Sequence, residues 1–326
     1  MTETRIDRRA LLKGSAGIAA AAAAGIAAPA RAGAPMMGVA RPTHYRFPLG
    51  AFEVTTLLDG AVQVPGPHPI FGQNVTQEDV AALAAETFLP ADRMEIPFTV
   101  TLVNTGAELV LFDTGNGDIG RRPAAGLLRA RLAEAGYTPE QVDVVALTHF
   151  HPDHIGGMTE DGARAFPNAR YVIPAQEYDF WAHEDRLFDA ATADNAQLVQ
   201  QKVVPVAETA RMIAPGDAVV SGVEALRAWG HTPGHTVYHV ESEGQRLVLM
   251  GDTCNHYVMS MQKPEWHVRF DMDKEMAVAA RKEVLGMVAA DRIPLVGYHM
   301  PPPAAGFVEA MDGGFRYVPA SYQLNL

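Results

Sequence analysis

Thr148-His149-Phe150-His151-Pro152-Asp153-His154-Ile155-Gly156-Gly157 is the stretch from which the rest of this chain can be read. The residues just before it, Val142 to Leu147, are apolar apart from Asp143. Such a run suits a strand buried on both faces. Three imidazoles and a carboxylate therefore stand at the end of a rigid element. His149 and His151 are two positions apart, so an extended backbone aims both rings to one side. Asp153 and His154 leave on a turn and can face a second point in space. One short segment can then serve two metal ions. A chance cluster on a surface loop would have no such strand beneath it.

Composition limits what these side chains can be for. Cys254 is the only cysteine, so the chain can form no internal disulfide and no thiolate-rich metal site. A metal centre must be built from imidazole and carboxylate. The formal net charge of −12 lacks the basic excess that binding to a phosphate backbone needs, so nucleic acid is not an expected partner. The length, 326 residues, fits one large α/β domain behind a processed leader.

Residues 1–32 read as that leader. Asp7-Arg8-Arg9-Ala10-Leu11-Leu12-Lys13 precedes a weakly apolar run from Ser15 to Ala28, and Ala30-Arg31-Ala32 fits cleavage between small residues. The pattern is that of a twin-arginine export signal, which places the mature chain in the periplasm or outside the cell. The apolar run is mostly alanine and is interrupted by Gly25, with Pro29 after it, too weak for stable membrane insertion.

Beyond the leader, residues 33–48 carry Pro and Gly and read as a loose arm, with the folded domain spanning 49–326. Phe52 to Leu58 reads as a strand closed by Asp59-Gly60, with Val62 to Val64 as its partner. Phe98 to Asn104 and Glu108 to Asp113 form a hairpin across Thr105-Gly106-Ala107. Helical spacing is found at Val80 to Phe88, Ala125 to Ala135 and Lys274 to Ala290. Further β-rich runs follow at 169–173, 223–228, 237–241, 246–250 and 293–296. Strands that alternate with helices but also come as hairpins predict an α/β fold with mixed sheets.

The opening stretch resembles the signature of the metallo-β-lactamase superfamily. Four further segments resemble that family's motifs in the family's order. Phe112-Asp113-Thr114-Gly115 lies upstream; Gly230-His231-Thr232-Pro233-Gly234-His235-Thr236, Met250-Gly251-Asp252-Thr253 and Gly297-Tyr298-His299-Met300 lie downstream. The resemblance implies an αββα sandwich of two mixed β-sheets flanked by helices. It also implies two divalent metal ions, zinc foremost, with manganese, iron or cobalt as alternatives. Carried over residue by residue, it puts His149, His151 and His235 on one ion and Asp153, His154 and His299 on the other, with Asp252 shared. Asp113 would support the ligands from behind, and His231 is read as a further support of that kind or as structural. Asp153 and Asp252 are the implied catalytic carboxylates: Asp252 bridges, and Asp153 carries a proton while a hydroxide held between the ions attacks.

β-Lactamases of this fold usually lack a bridging aspartate, so Asp252 argues against that activity. Leu49 to Thr55, Gln141-Val142-Asp143, Asp179-Phe180-Trp181 and Gly314 to Pro319 are similar to the methyl parathion hydrolase and lactonase branch. Members of that branch are commonly homodimers, which sets the expectation here. The implied activity is hydrolysis of a small, neutral, ester-like substrate, a lactone or aryl ester first. A phosphotriester is the alternative, and iron-dependent oxygen chemistry a more distant one. Trp181 and Phe180 would wall the substrate pocket. The loop Asn116 to Gly120 offers no aromatic, which weighs against efficient phosphotriester hydrolysis, and residues 183–222 have no clear counterpart.

Overall fold

The computed structural model describes residues 34–118, 121 and 124–321, which fall into two units divided after Ala40. In the first, residues 34–40 are exposed and have no regular secondary structure. The leader read at 1–32 lies outside the described residues. All that follows concerns the second unit.

The expected arm to residue 48 ends sooner. His44–Leu49 is a strand paired antiparallel with Phe52–Pro65, and Phe47 and Leu49 are buried. Pro48 disguised it: an edge strand can lack one ladder N–H, so proline is tolerated there. The expected break at Asp59-Gly60 is likewise a bulge. Phe52–Pro65 runs through it, and its register with Arg93–Asn104 shifts between Leu58 and Gly60. The bulge turns Asp59 inward, fully buried. Its carboxylate accepts from the N–H groups of Asn116, Gly126 and Leu128 and from Asn116 Nδ2, at 2.7–3.3 Å.

Two seven-stranded mixed sheets make the body. The first runs in the order 44–49, 52–65, 93–104, 109–112, 144–146, 170–174, 211–213, antiparallel for the first three pairings and parallel for the last three. The second runs 218–220, 223–227, 236–242, 245–249, 295–296, 305–311, 314–319, with one parallel pairing, 245–249 against 295–296. The hairpin across Thr105 to Ala107 forms as its sequence predicts.

Side-chain alternation assigns the layers. Val110, Phe112, Val144 and Ala146 pack in one buried cluster with Val237, Tyr238, Leu247 and Leu249 of the second sheet. Leu109, Leu111 and Val145 belong to a second cluster, with Leu128 and Leu132 of the helix Leu128–Glu134 and Val199 of the helix Ala193–Lys202. The long helix Lys274–Asp291 packs onto the first cluster through Val284, Leu285 and Val288. Each such fully buried side chain contributes about 1.5–3 kcal/mol, so the strand ends that carry polar chemistry rest on a stiff base. Among the described residues, no helix is long and apolar enough to cross a membrane.

Candidate metal centre

The strand Val144–Ala146 is short, and the chain leaves it as the ligand stretch begins. Two tyrosines fix that exit: Tyr238 donates to Leu147 O at 2.5 Å from the second sheet, and Tyr298 donates to Asp153 O at 2.5 Å. Pro152 then opens the one-turn helix Pro152–Ile155. Gly156 and Gly157 let the next loop pass against 114–116, since a Cβ on either would meet a backbone oxygen at 2.2 or 2.0 Å. Asp113 adopts φ of 64°, a left-handed conformation uncommon for a non-glycine residue. Its carboxylate accepts from Thr148 N, Thr148 Oγ1 and His154 Nδ1, each at 2.8 Å. Asp113 thereby holds the start of the ligand stretch and the His154 ring to one point.

Ligand-type atoms converge in two groups. His149, His151, His231 and Asp252 form one; Asp153, His154 and His299 form the other, and within each the atoms lie within 4.8 Å of one another. In the first, His151 Nδ1 is 3.0 Å from both His149 Nε2 and His231 Nε2, and His231 Nε2 is 3.3 Å from Asp252 Oδ2. In the second, Asp153 Oδ2 is 3.4 Å from His154 Nε2 and 3.6 Å from His299 Nε2. Asp252 faces both: Oδ1 lies 3.2 Å from His154 Nε2, and Oδ2 lies 3.0 Å from His299 Nε2. Bonds of about 2.0–2.1 Å in a tetrahedron put ligand atoms about 3.3 Å apart, so both groups have the spacing of a cation site. His154 Nε2 and Asp252 Oδ1 are buried without a hydrogen-bond partner among the described residues. Orphans of that kind are costly unless an ion completes them. The residues fit two divalent cations.

One ligand assignment is corrected. The sequence reading gave His235 the ligand place and left His231 as a supporting or structural residue; the structure gathers His231, and not His235, with the other ligand-type atoms. His235 Nε2 accepts the Asp252 N–H at 3.0 Å, which leaves Nδ1 as the donor to Ala228 O at 3.1 Å. Both nitrogens are thereby used inside the fold. His231 instead donates from Nδ1 to Asp271 Oδ1 at 2.9 Å, and its Nε2 is directed at His151 and Asp252.

The groups are electrically complementary. Burial opposes the charge on His154, yet Asp153, Asp252 and Asp113 outweigh it and hold its pKa well above the usual imidazole value. Burial likewise opposes the charge on Asp252, but His299 and His154 hold that carboxyl well below its usual value. His151 is pushed down to about 3, by burial and then by the neighbouring His231. Among the first group's imidazoles, His231 alone has a carboxylate behind it.

A cavity of about 530 Å³ borders the first group, with His151 and Asp271 in its lining. Trp181, Thr192, Asp194, Arg269, Phe270 and Met272 are among its walls. Trp181, read from the sequence as a pocket wall, lines this cavity. Its ring is buried and donates from Nε1 to Glu177 at 2.8 Å. Phe180 does not line this cavity. It packs edge-on against Trp181 at 5.0 Å, beneath the Arg186 guanidinium. The unplaced segment 183–222 supplies Thr192, Asp194 and Asn195, at the start of the helix Ala193–Lys202.

Sequence reasoning missed Glu177, which is fully buried. Oε1 accepts from Phe150 N at 3.0 Å and from Trp181, while Oε2 accepts from Gly234 N at 2.8 Å. It therefore ties the first ligand stretch to the turn that carries His231. A glutamate in an otherwise helical run gives no sequence signal of that role.

The family model for the metallo-beta-lactamase superfamily matches residues 97–294, and the chain belongs to that superfamily. An N-acyl homoserine lactonase of a Bacillus species is 24% identical over 225 residues, covering 63% of this chain and 82% of the relative. Two solved structures superpose over most of the chain. AidC, a dizinc quorum-quenching lactonase in complex with a product, matches with a TM-score of 0.77 at 26% identity, covering 86% of this chain and 98% of that one. The hydrolase AbOPH matches with a TM-score of 0.80 at 26% identity, covering 87% and 99%. The chain is a metal-dependent hydrolase of this superfamily, with its His/Asp cluster as the metal site.

Proposed function

We propose that the chain hydrolyses neutral lactones, holding two divalent ions, zinc foremost, in the two groups that Asp252 joins. The observation that carries this reading is the Asp252 carboxylate itself, which faces both groups at 3.0–3.3 Å beside a partly apolar cavity. The lactonase relatives support the substrate class. Trp181, Phe270 and Met272 offer apolar surface for an acyl or aryl group, and no basic cluster is needed for an uncharged substrate.

When bound, the two ions would lower the pKa of water and polarise the scissile bond. The chain's own residues do the rest. His149, His151 and His231 fix one half of the centre and His154 and His299 the other, so the lactone carbonyl is oriented by the cavity against a rigid base. Asp153 is the more exposed of the two ligand-group carboxylates, its side chain one-fifth exposed against 4% for Asp252. Burial raises its pKa, but His154 and His299 outweigh that and keep it a carboxylate. It accepts the proton of the attacking water and returns it to the departing alkoxide oxygen as the C–O bond breaks.

Metal analysis of the mature chain, paired with assays on N-hexanoyl homoserine lactone and methyl paraoxon, tests this. About two ions per chain and lactone turnover that Asp153→Asn depresses are expected. Faster turnover of paraoxon would move the substrate class to phosphotriesters. One iron per chain with neither substrate hydrolysed would overturn the reading. Export belongs to the same proposal, on the strength of Arg8-Arg9 and the run behind it; finding the chain unprocessed and cytoplasmic in its native host would refute it.

A further inference from the structure

Arg281 is a fully buried arginine in the middle of the helix Lys274–Asp291. Its guanidinium makes four hydrogen bonds, none of them within its own helix. Nε donates to Thr253 O at 3.0 Å, the residue next to Asp252. Nη1 donates to Pro264 O at 3.0 Å and Trp266 O at 3.3 Å. Nη2 donates to Asp271 Oδ2 at 2.6 Å. The other oxygen of Asp271 accepts from His231 Nδ1. The Asp271 side chain is itself fully buried.

A buried guanidinium is expensive to desolvate, and removing its partner leaves a worse loss. Three carbonyl oxygens could cradle such a cation without help from a carboxylate. Here the neutralising carboxylate is shared: one oxygen serves Arg281, the other an imidazole of the first metal group. The same arginine grips the backbone after Asp252 and the 264–266 turn. The loop that follows carries Arg269, Phe270 and Met272 into the cavity wall.

We infer that Arg281 is a positioning residue for the first metal group, acting through Asp271 to fix the His231 ring with Nε2 toward the ligand atoms, and anchoring the Asp252 loop and the cavity wall to the same point. The inference rests on the metal-centre reading above. Outer partners of this type turn a ligand ring and set which nitrogen is free, and their loss costs about 10–100-fold in metal affinity. Asp271 provides the acceptor. Arg281 keeps that acceptor in place and its charge compensated.

The test is zinc competition against a chromophoric chelator on the full mature chain, with melting temperature recorded alongside. Asp271→Asn should weaken one of the two zinc ions by about 10–100-fold and leave the other at its original affinity, and Arg281→Met should weaken that same ion the more of the two. The double variant should weaken that ion by less than the product of the two single losses, because both substitutions act on one ring. Arg281→Lys keeps the charge but not the fork, and should recover part of the loss. Folded variants that keep both ions at the unmodified affinity would overturn the inference. So would equal weakening of both ions, or a lowered melting temperature alone, because either describes a general structural role. Should Arg281→Met fail to fold, Asp271→Asn and Arg281→Lys still decide. No zinc bound by the unmodified chain would instead refute the metal-centre reading itself.

Discussion

His231 and His235 lie four residues apart in one buried turn, yet their surroundings are opposite. Burial disfavours a charge on both. At His231 the hydrogen bonds and charges of Asp252 and Asp271 outweigh that cost and raise the pKa to about 9. At His235 burial and then the positive neighbour His231 push it down to about 3. The difference is set by what lies behind each ring. A carboxylate behind His231 holds the far nitrogen and leaves the near one directed into the centre. A carbonyl behind His235 does the same for Nδ1, but its Nε2 is consumed by the Asp252 N–H. One histidine presents a nitrogen to the metal group, and the other pins the backbone of the shared aspartate.

Breaking this pair gives the largest effect. His231→Ala should cost one of two ions per chain and reduce lactone turnover by more than the 100-fold that loss of an outer partner can cause. Metal stoichiometry and kcat/KM on the same preparation check it. His235→Ala should retain both ions. Its cost falls on stability, about 1–3 kcal/mol for leaving the buried Asp252 N–H unpaired, read as a lower melting temperature. Loss of an ion on His235→Ala, with none lost on His231→Ala, would restore the original assignment.

The second group offers the matching case. His154 is braced by Asp113 as His231 is by Asp271. Asp113→Asn should therefore weaken one ion by about 10–100-fold, and it should be the ion that Asp271→Asn spares. A chelator series on the two variants and their combination tests that independence. If both substitutions weaken the same ion, the division into two groups fails.

How much of this was legible in the chain alone follows from range. The stretch from His149 to His154 and its strand are local: burial and ligand spacing sit within about ten residues, and both were readable. So were the order of the later motifs and the hairpin at Thr105 to Ala107. The turn 230–236 was not, because Gly-His-Thr and Gly-His-Thr read alike at both histidines. Asp271, forty residues on, decides between them. Asp59 and Glu177 were hidden for the same reason, since their partners come from other segments. Arg281 did leave a trace. It stands four residues after Ala277 and three and four before Val284 and Leu285, all on the helix's buried face, where an arginine needs a partner.

The smallest expected effect concerns Glu177, which links the two regions without touching either metal group. Its oxygens accept three N–H bonds, and burial raises its pKa against those donors. Glu177→Gln keeps the shape but turns an NH2 group toward donors on one side. If that side is Oε2, Gly234 N loses its acceptor and the His231 turn loosens. If it is Oε1, Phe150 N and Trp181 Nε1 lose theirs, and the cavity wall loosens with the ligand stretch. Either way one or two buried donors go unpaired, at about 1–3 kcal/mol each. Both ions should stay bound, because His231 keeps Asp271 and His154 keeps Asp113. The melting temperature should fall, and kcat/KM should fall less than in either brace variant. A loss of metal as large as that of Asp271→Asn would mean that backbone ties, more than carboxylate braces, set the ligand geometry.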